Sequence, residues 1–275
     1  MRVTRLSEHG DVAAVAELLV GSGLDLADLK TEGVAGLVAH RSDDEPPAGY
    51  AQLIRGRDGW TVDFAGEAAA ADLVRAARDV VRSEGGGRVK LWARHVRPED
   101  DQLAAAMGLV KERDLYQMRR PLPAGVAWAL STRPFRPGVD DEAWLKVNNR
   151  AFRSHPEQGG WDAAALKGRE AEAWFDPEGF LLHESGGRLA GFCWTRIHPD
   201  HDPPLGEIYV IAVDPDFQGT GVGRSLVLAG LDYLTRRGVT VGMLYVDADN
   251  HPAVSLYRDL GFDIHHVNRV YTGEW

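Results

Sequence analysis

The 275-residue sequence contains one cysteine, no long apolar run, and fewer basic than acidic side chains. A single thiol allows no internal disulfide, which fits a reducing compartment, so a cytoplasmic protein is expected. No stretch approaches the roughly 18 apolar residues that a membrane-crossing helix needs. The opening Met1-Arg2-Val3-Thr4-Arg5-Leu6 has no apolar core, and no secretory leader is expected from it. With 31 basic and 41 acidic residues the net charge is −10, which argues against a nucleic-acid partner. There is no Gly-Lys-Ser/Thr, so an NTP-binding loop is excluded, and no Gly-x-Gly-x-x-Gly follows a strand directly, as a dinucleotide fold requires.

Two further features point away from chemistry. Cys193 lies in the strand-like run Leu189 to Thr195, with no base nearby in sequence to activate it, so a buried structural thiol is expected. His198-Pro199-Asp200-His201-Asp202 carries metal-capable side chains, but in a Pro-rich segment without the helical spacing of zinc motifs. No metal is expected there.

What the chain does have is Gln218-Gly219-Thr220-Gly221-Val222-Gly223-Arg224. It follows an apolar strand, Ile208 to Val213, ended by Asp214-Pro215, and precedes a helix predicted over Ser225 to Arg237. Glycines at a helix start let backbone N–H groups converge on a phosphate, and the helix dipole favours the anion. The spacing reads as a pyrophosphate loop.

The two halves also resemble each other. Leu91, Leu103 and Gly108 match Leu244, Leu256 and Gly261 at one constant offset, the signature of an internal duplication. Pro121-Leu122-Pro123-Ala124-Gly125 is the natural linker, giving domains 1–122 and 126–275. The first half has only Ala65-Gly66 between its strand and an Ala-rich helix predicted over 67–84, and Ala104 and Arg97 stand where the second has Tyr257 and Asn250. Function is therefore expected in the second half, with the first a degenerate partner.

Glu207 heads the apolar strand. A carboxylate entering a low-dielectric cleft suits proton removal from an ammonium, although from position alone a solvated strand-end acid fits equally. Tyr257 lies on a short helix predicted over Ala253 to Leu260 and ended by Gly261; it could protonate a departing thiolate, although position alone favours a core tyrosine.

Strand, Asp-Pro and Gln-Gly-x-Gly-x-Gly, with Asn250…Leu256-Tyr257…Gly261-Phe262, together resemble the GNAT acetyltransferases. Further runs are similar to the mycothiol synthase family of tandem GNAT proteins. These are Val147-Asn148-Asn149-Arg150-Ala151-Phe152, His155-Pro156-Glu157-Gln158-Gly159-Gly160-Trp161, Glu172 to Pro177, Trp194 to His201 and Gly206 to Val210. The resemblance implies an α/β (α+β) fold of two GNAT-like domains, each a mixed, mostly antiparallel sheet flanked by helices. It implies acetyl-CoA as co-substrate, no metal, and acetylation of the cysteinyl amine of a cysteinyl-glucosaminyl-inositol by a monomer through direct transfer. By it Glu207 is the general base and Tyr257 the general acid. Ile211, Ala212, Val213, Gln218, Gly219, Thr220, Gly221, Val222, Gly223, Arg224, Asn250, His251, Pro252, Ala253, Val254 and Ser255 would contact acetyl-CoA. Glu157, Arg196, Glu207 and Tyr245 would line the amine pocket, and Asp25 and Asp28 are candidates for a first-half contact. Acetylation of peptide N-termini or another small amine, and an idle acyl-CoA-binding module, are the competing readings.

Overall fold

Strands form where β-branched and aromatic residues alternate or run together, and helices where apolar residues recur every three or four positions. The computed structural model describes residues 1–6, 12–19, 34–42, 44–153, 155 and 158–275, which divide into two compact units. The first comprises 1–116 with 247–249 and 266–275; the second comprises 117–246 with 250–265.

The first unit contains β1 (Arg2–Arg5), α1 (Val12–Leu19), β2 (Val34–His40), β3 (Gly49–Gly56), β4 (Gly59–Ala65), α2 (Ala70–Ser83), β5 (Arg88–Ala93) and α3 (Pro98–Ala106). Residues 110–116 of β6 (Val110–Pro121) also belong to it. Its pairs β1/β2, β2/β3 and β3/β4 are antiparallel and β4/β5 is parallel. Helix α2 buries Leu73, Val74, Ala77 and Val81, a stripe at helical spacing, in a core with Leu53, Val62 and Leu91. The helix expected from residue 67 is a short 3₁₀ turn, Glu67–Ala69, before α2 begins, because Gly66 with φ 95° sets the entry.

The second unit holds β7 (Arg133–Pro134), α4 (Asp141–Ala151), α5 (Ala163–Glu170), β8 (Phe180–Ser185), β9 (Arg188–His198), β10 (Leu205–Val213), α6 (Val222–Arg236), β11 (Val241–Asp247) and α7 (His251–Asp259). The last strand is β12 (Asp263–Glu274), whose residues from 266 belong to the first unit. Within the second unit β6, β11, β10, β9, β8 and β7 follow in that order, and only β10/β11 among the pairs β7 to β11 is parallel. The fold is thus α/β, a mixed and mostly antiparallel sheet with flanking helices.

One side of this second sheet carries an aromatic core. Trp144 of α4 meets Trp161, Phe180, Phe192 and Trp194 edge-on at 5.3–5.9 Å, and Phe180 stacks on Trp194 at 4.3 Å. Such pairs add about 0.5–1.5 kcal/mol each beyond burial. On the other side, Gly230 lets α6 approach the sheet closely; a Cβ there would stand 2.6 Å from Cys193 Sγ. Cys193 is fully buried, and burial pushes its thiol well above the ordinary range.

Candidate active site

The site begins where two strands part. The parallel ladder between β10 and β11 runs from Leu205↔Val241 to Ile208↔Leu244, yet β10 continues to Val213 and β11 to Asp247. Between Ile208 and Val210 the β9/β10 register shifts, a bulge that places Tyr209 as the extra residue. A bulge bends its strand and strengthens the local twist, which turns the end of β10 away. Among the described residues the stretch 209–213 therefore has no ladder pair on its β11 side, where Val213 O accepts from Gln218 Nε2 instead.

Beyond β10, the chain makes a 3₁₀ turn at Pro215–Phe217 and enters the glycine loop. Buried Asp214 anchors this turn: its Oδ1 accepts from Asp216 N at 3.0 Å, and its Oδ2 from Arg150 Nη1 at 2.9 Å. Arg150 and Arg188 also hold Asp216, at 3.0 and 2.6 Å, and keep its carboxyl below the usual range. Gly219 and Gly221 have φ of 76° and 84°, conformations that side chains rarely adopt, and a Cβ on either would meet open space. The glycines are therefore required first by backbone conformation. Helix α6 starts at Val222, earlier than expected, because Gly221 is its N-cap. No side chain caps it and no acidic residue lies in its first turn, so the opening N–H groups are available to an anion. Gln218 Nε2 donates to Val213 O at 3.4 Å and Thr220 Oγ1 to Phe217 O at 2.6 Å, which tie the loop to itself. Arg224 is half-buried in that first turn, beside Gly223. An open donor-rich cradle of this kind fits a pyrophosphate.

Helix α7 provides the other candidate wall. Asn250 caps it, its Oδ1 accepting from Ala253 N at 3.3 Å, so this side chain has a structural task of its own. His251, Pro252 and Ser255 are exposed, Ala253 is half-buried, and Val254 and Tyr257 face inward. Tyr257 is only 7% exposed, lies edge-on to Phe262 at 5.9 Å, and its phenol makes no hydrogen bond among the described residues. Burial, then nearby Cys193, hold its phenol well above the ordinary range, so it stays protonated.

A set of polar side chains shares the sheet face nearest the parting strands. Glu207 pairs with Arg196 across β9 and with Met243 across β11, and Tyr245 and His198 lie two residues on from Met243 and Arg196. Strand alternation puts all of them on one face. Glu207, 7% exposed, uses Oε2 to meet His198 Nε2 at 2.8 Å, while Oε1 has no hydrogen bond among the described residues. Arg196 lies over the Trp174 ring at 4.6 Å. Tyr245 Oη accepts from Gln117 Nε2 at 2.8 Å, and Gln117 Oε1 accepts from Arg119 Nε at 2.6 Å. Tyr209 packs on Trp174 and Trp194, and burial raises its phenol. Arg196, Glu207 and Tyr245 are thus brought together; Glu157, Asp25 and Asp28 lie outside the described residues.

In sequence His198 belongs to a Pro-rich segment not expected to hold metal and to a family-like run, with no role of its own. It is instead the last residue of β9, and the signal that could have found it was its same-face spacing from Arg196. Asn148 and Asn149 of α4 were likewise read only as motif letters. Fully buried Asn148 donates to Gln158 O at 3.0 Å and accepts from Gln158 Nε2 at 3.2 Å; Asn149 donates to Trp161 O and accepts from Trp161 N, at 2.7 and 3.0 Å. Two amides therefore fasten the 158–161 segment to α4. Among the described residues no group of three or more His, Cys, Asp or Glu is placed to hold a metal ion, and no helix is long and apolar enough to cross a membrane.

Comparison with known proteins adds to this geometry. Residues 142–262 match the acetyltransferase (GNAT) family. The mycothiol acetyltransferase of Thermomonospora curvata is 47% identical over 205 residues, covering 72% of this chain and 67% of the relative. That of Acidimicrobium ferrooxidans is 43% identical over 260 residues, covering 88% of this chain and 83% of the relative. Among solved structures, a GCN5-related N-acetyltransferase from Sphaerobacter thermophilus matches with TM-score 0.74 at 21% identity, covering 99% of this chain and 95% of its own. A tandem GNAT protein from the clavulanic acid biosynthesis pathway matches with TM-score 0.70 at 17% identity, covering 99% of this chain and 98% of its own.

Proposed function

The chain belongs to the mycothiol acetyltransferase family and carries a GNAT acetyltransferase domain, and from that premise we propose that it makes mycothiol, acetylating the cysteinyl amine of a cysteinyl-glucosaminyl-inositol. The observation that carries the proposal is Glu207, a buried carboxylate at the point where β10 and β11 stop pairing, with one oxygen that has no hydrogen bond among the described residues.

Acetyl-CoA, when bound, supplies the acetyl group as a thioester. Gly219 to Arg224 hold its pyrophosphate through backbone N–H groups, with the start of α7 from Asn250 to Ser255 as a second contact surface. Unpaired N–H groups within Ile211–Val213 receive the thioester carbonyl and stabilise negative charge as it develops on oxygen. Arg196 and Tyr245, with Glu157, position the acceptor. Glu207 Oε1 takes a proton from the acceptor ammonium, which frees the nitrogen lone pair for attack on the acetyl carbon. Tyr257, protonated throughout the neutral range, gives its proton to the departing sulfur and regains one through solvent as the new amide nitrogen loses its second proton there. No side chain need be acylated, and Cys193 is too deeply buried to act as a nucleophile.

Incubation with acetyl-CoA and a panel of cysteinyl glycosides, peptides and polyamines tests this, with CoA release and acceptor mass as readouts. The cysteinyl-glucosaminyl-inositol is expected to be acetylated fastest, on its amine. A peptide N-terminus turned over faster would move the substrate to that competing reading. Acetyl-CoA binding with no acetylated acceptor would make the chain a binding module.

A further inference from the structure

A buried carboxylate that removes protons must be held in one orientation and kept ionised before substrate arrives. In water both conditions fail cheaply; in a nearly closed cleft the charged form is penalised unless a donor faces it. Glu207 has one such donor among the described residues. His198 Nε2 lies 2.8 Å from Glu207 Oε2, with the two side chains 18% and 9% exposed. The contact joins the end of β9 to the start of β10, where Leu205 is the residue opposite His198. His198 therefore reaches Glu207 diagonally across the ladder, from a strand end that the sheet itself fixes.

We propose that His198 is a positioning residue for proton transfer: its Nε2–H donates to Glu207 Oε2, fixes the carboxylate plane and leaves Oε1 to face the acceptor amine. The inference rests on Glu207 being the base. In the step, one N–H bond of the ammonium breaks with its electrons left on nitrogen, and an O–H bond forms on Oε1. The Nε2–H stays on His198 throughout, and Glu207 returns the proton to solvent after the product leaves.

The surroundings allow His198 this role. Arg196 of β9 and Tyr245 of β11 share the Glu207 face, Tyr209 of β10 lies near enough to feel the Glu207 charge, and Arg119 of β6 acts on His201, which with Asp200 follows on the segment after β9. His201 meets the His198 ring edge-on at 6.1 Å. Burial first, then His198 and Arg119, hold His201 below the ordinary imidazole value against the pull of Asp200, so it stays neutral near pH 7 and adds no competing charge. Without the His198 donor the charged carboxylate loses that support.

The test is a pH profile of kcat/KM for His198→Ala, His198→Gln, Glu207→Gln and the double variant His198→Ala/Glu207→Gln. His198→Ala is expected to lower kcat at pH 7 by about 10- to 100-fold, the size of one lost hydrogen bond to a charged group. Its acid limb should move to higher pH, with the acceptor KM nearly unchanged. His198→Gln, which can place an N–H near the position of Nε2, should restore most of the rate and return the limb. The double variant should be no slower than Glu207→Gln alone, because His198 acts only through that carboxylate. Should His198→Ala lose its folded circular-dichroism signal, His198→Phe keeps the ring bulk without the donor and takes its place. An unmoved acid limb in the donor-free variant, with Glu207→Gln strongly impaired, overturns the His198 role and leaves the base intact. Wild-type activity in Glu207→Gln overturns both.

Discussion

The two units share one plan and differ at one place. In each, a strand pairs antiparallel with the strand before it and parallel with the strand after the next helix: β4 between β3 and β5, and β10 between β9 and β11. Lys90 and Met243 are related by the same offset as Leu91 and Leu244, so through their ladders Thr61↔Lys90 corresponds to Glu207↔Met243. Thr61 thus stands where Glu207 stands, Ile54 where Arg196 stands and Gly56 where His198 stands. The β3/β4 ladder has no bulge, and β4/β5 pairs one step further, through Asp63↔Trp92, just where β10 and β11 have parted.

An ion pair then closes the first unit. Arg94, following β5, sends Nε to both oxygens of Asp63 at 3.1 and 3.0 Å, and its Nη2 bonds Asp63 as well. The entry to the following helix is closed too. A Cβ on Gly66 would stand 2.4 Å from Ala48 O, and the first turn there carries Glu67, which pairs with Arg97 Nη1 at 2.7 Å. An acidic first turn repels a phosphate, whereas α6 opens with none. The difference teaches that one bulge, one missing ladder pair and one open helix start separate a binding cleft from a closed sheet.

Substitutions can break or sharpen this contrast. The largest expected effect is on Glu207: Glu207→Gln should slow turnover by roughly 10²–10⁴, the usual range for a general base. The loss should shrink as pH rises, because more acceptor amine is already deprotonated. Its counterpart Thr61→Val should leave kcat unchanged, and steady-state kinetics of the pair measures both.

Next comes the first unit's clamp. Removing one partner of a buried pair strands the other, so Arg94→Leu should destabilise the fold by about 3 kcal/mol without changing turnover. Burial already raises the Asp63 carboxyl above its ordinary value, with Arg94 opposing. An acid whose folded pKa lies above its unfolded value loses stability as pH rises between the two. Urea melts of Arg94→Leu should therefore show a deficit that grows from acid towards neutral pH.

Tyr257→Phe should cost less than Glu207→Gln, about tenfold, because a thiolate near the ordinary thiol pKa of about 8.5 is a fair leaving group. With the phenol held protonated, that loss should stay flat across neutral pH, which a pH–rate profile checks. The smallest effect is at the rim. Arg188 is 56% exposed where it meets Asp216, so Arg188→Ala should leave the thermal melting temperature nearly unchanged.

Much of this arrangement was legible in the sequence, and for physical reasons. A glycine loop at a helix entry announces itself because positive φ at Gly219 and Gly221 leaves few alternatives, and an apolar run as dense as 208–213 forms a buried strand. The expected starts of α6 and α7 were late by two or three residues, because Gly221 and Asn250 act as caps and draw the residues after them into the helix. What stayed hidden depended on register. Nothing local links His198 to Glu207 or Asp63 to Arg94; each pair is made by strands brought side by side. The bulge at Tyr209 has no sequence mark either, since no glycine supplies it. The His198 to Asp202 run drew attention for metal-capable side chains, while its first residue acts through a strand.

The most direct test is the number of acetyl-CoA molecules each chain holds. Calorimetric titration of the wild-type protein should give one tight site, and Gly221→Val should abolish it, because valine strains a residue at φ 84° and puts side-chain atoms into the open space a pyrophosphate would occupy. The folded signal should persist in that variant. A second tight site that survives Gly221→Val, maps to the first unit and is needed for turnover would contradict the assignment of all chemistry to the second unit.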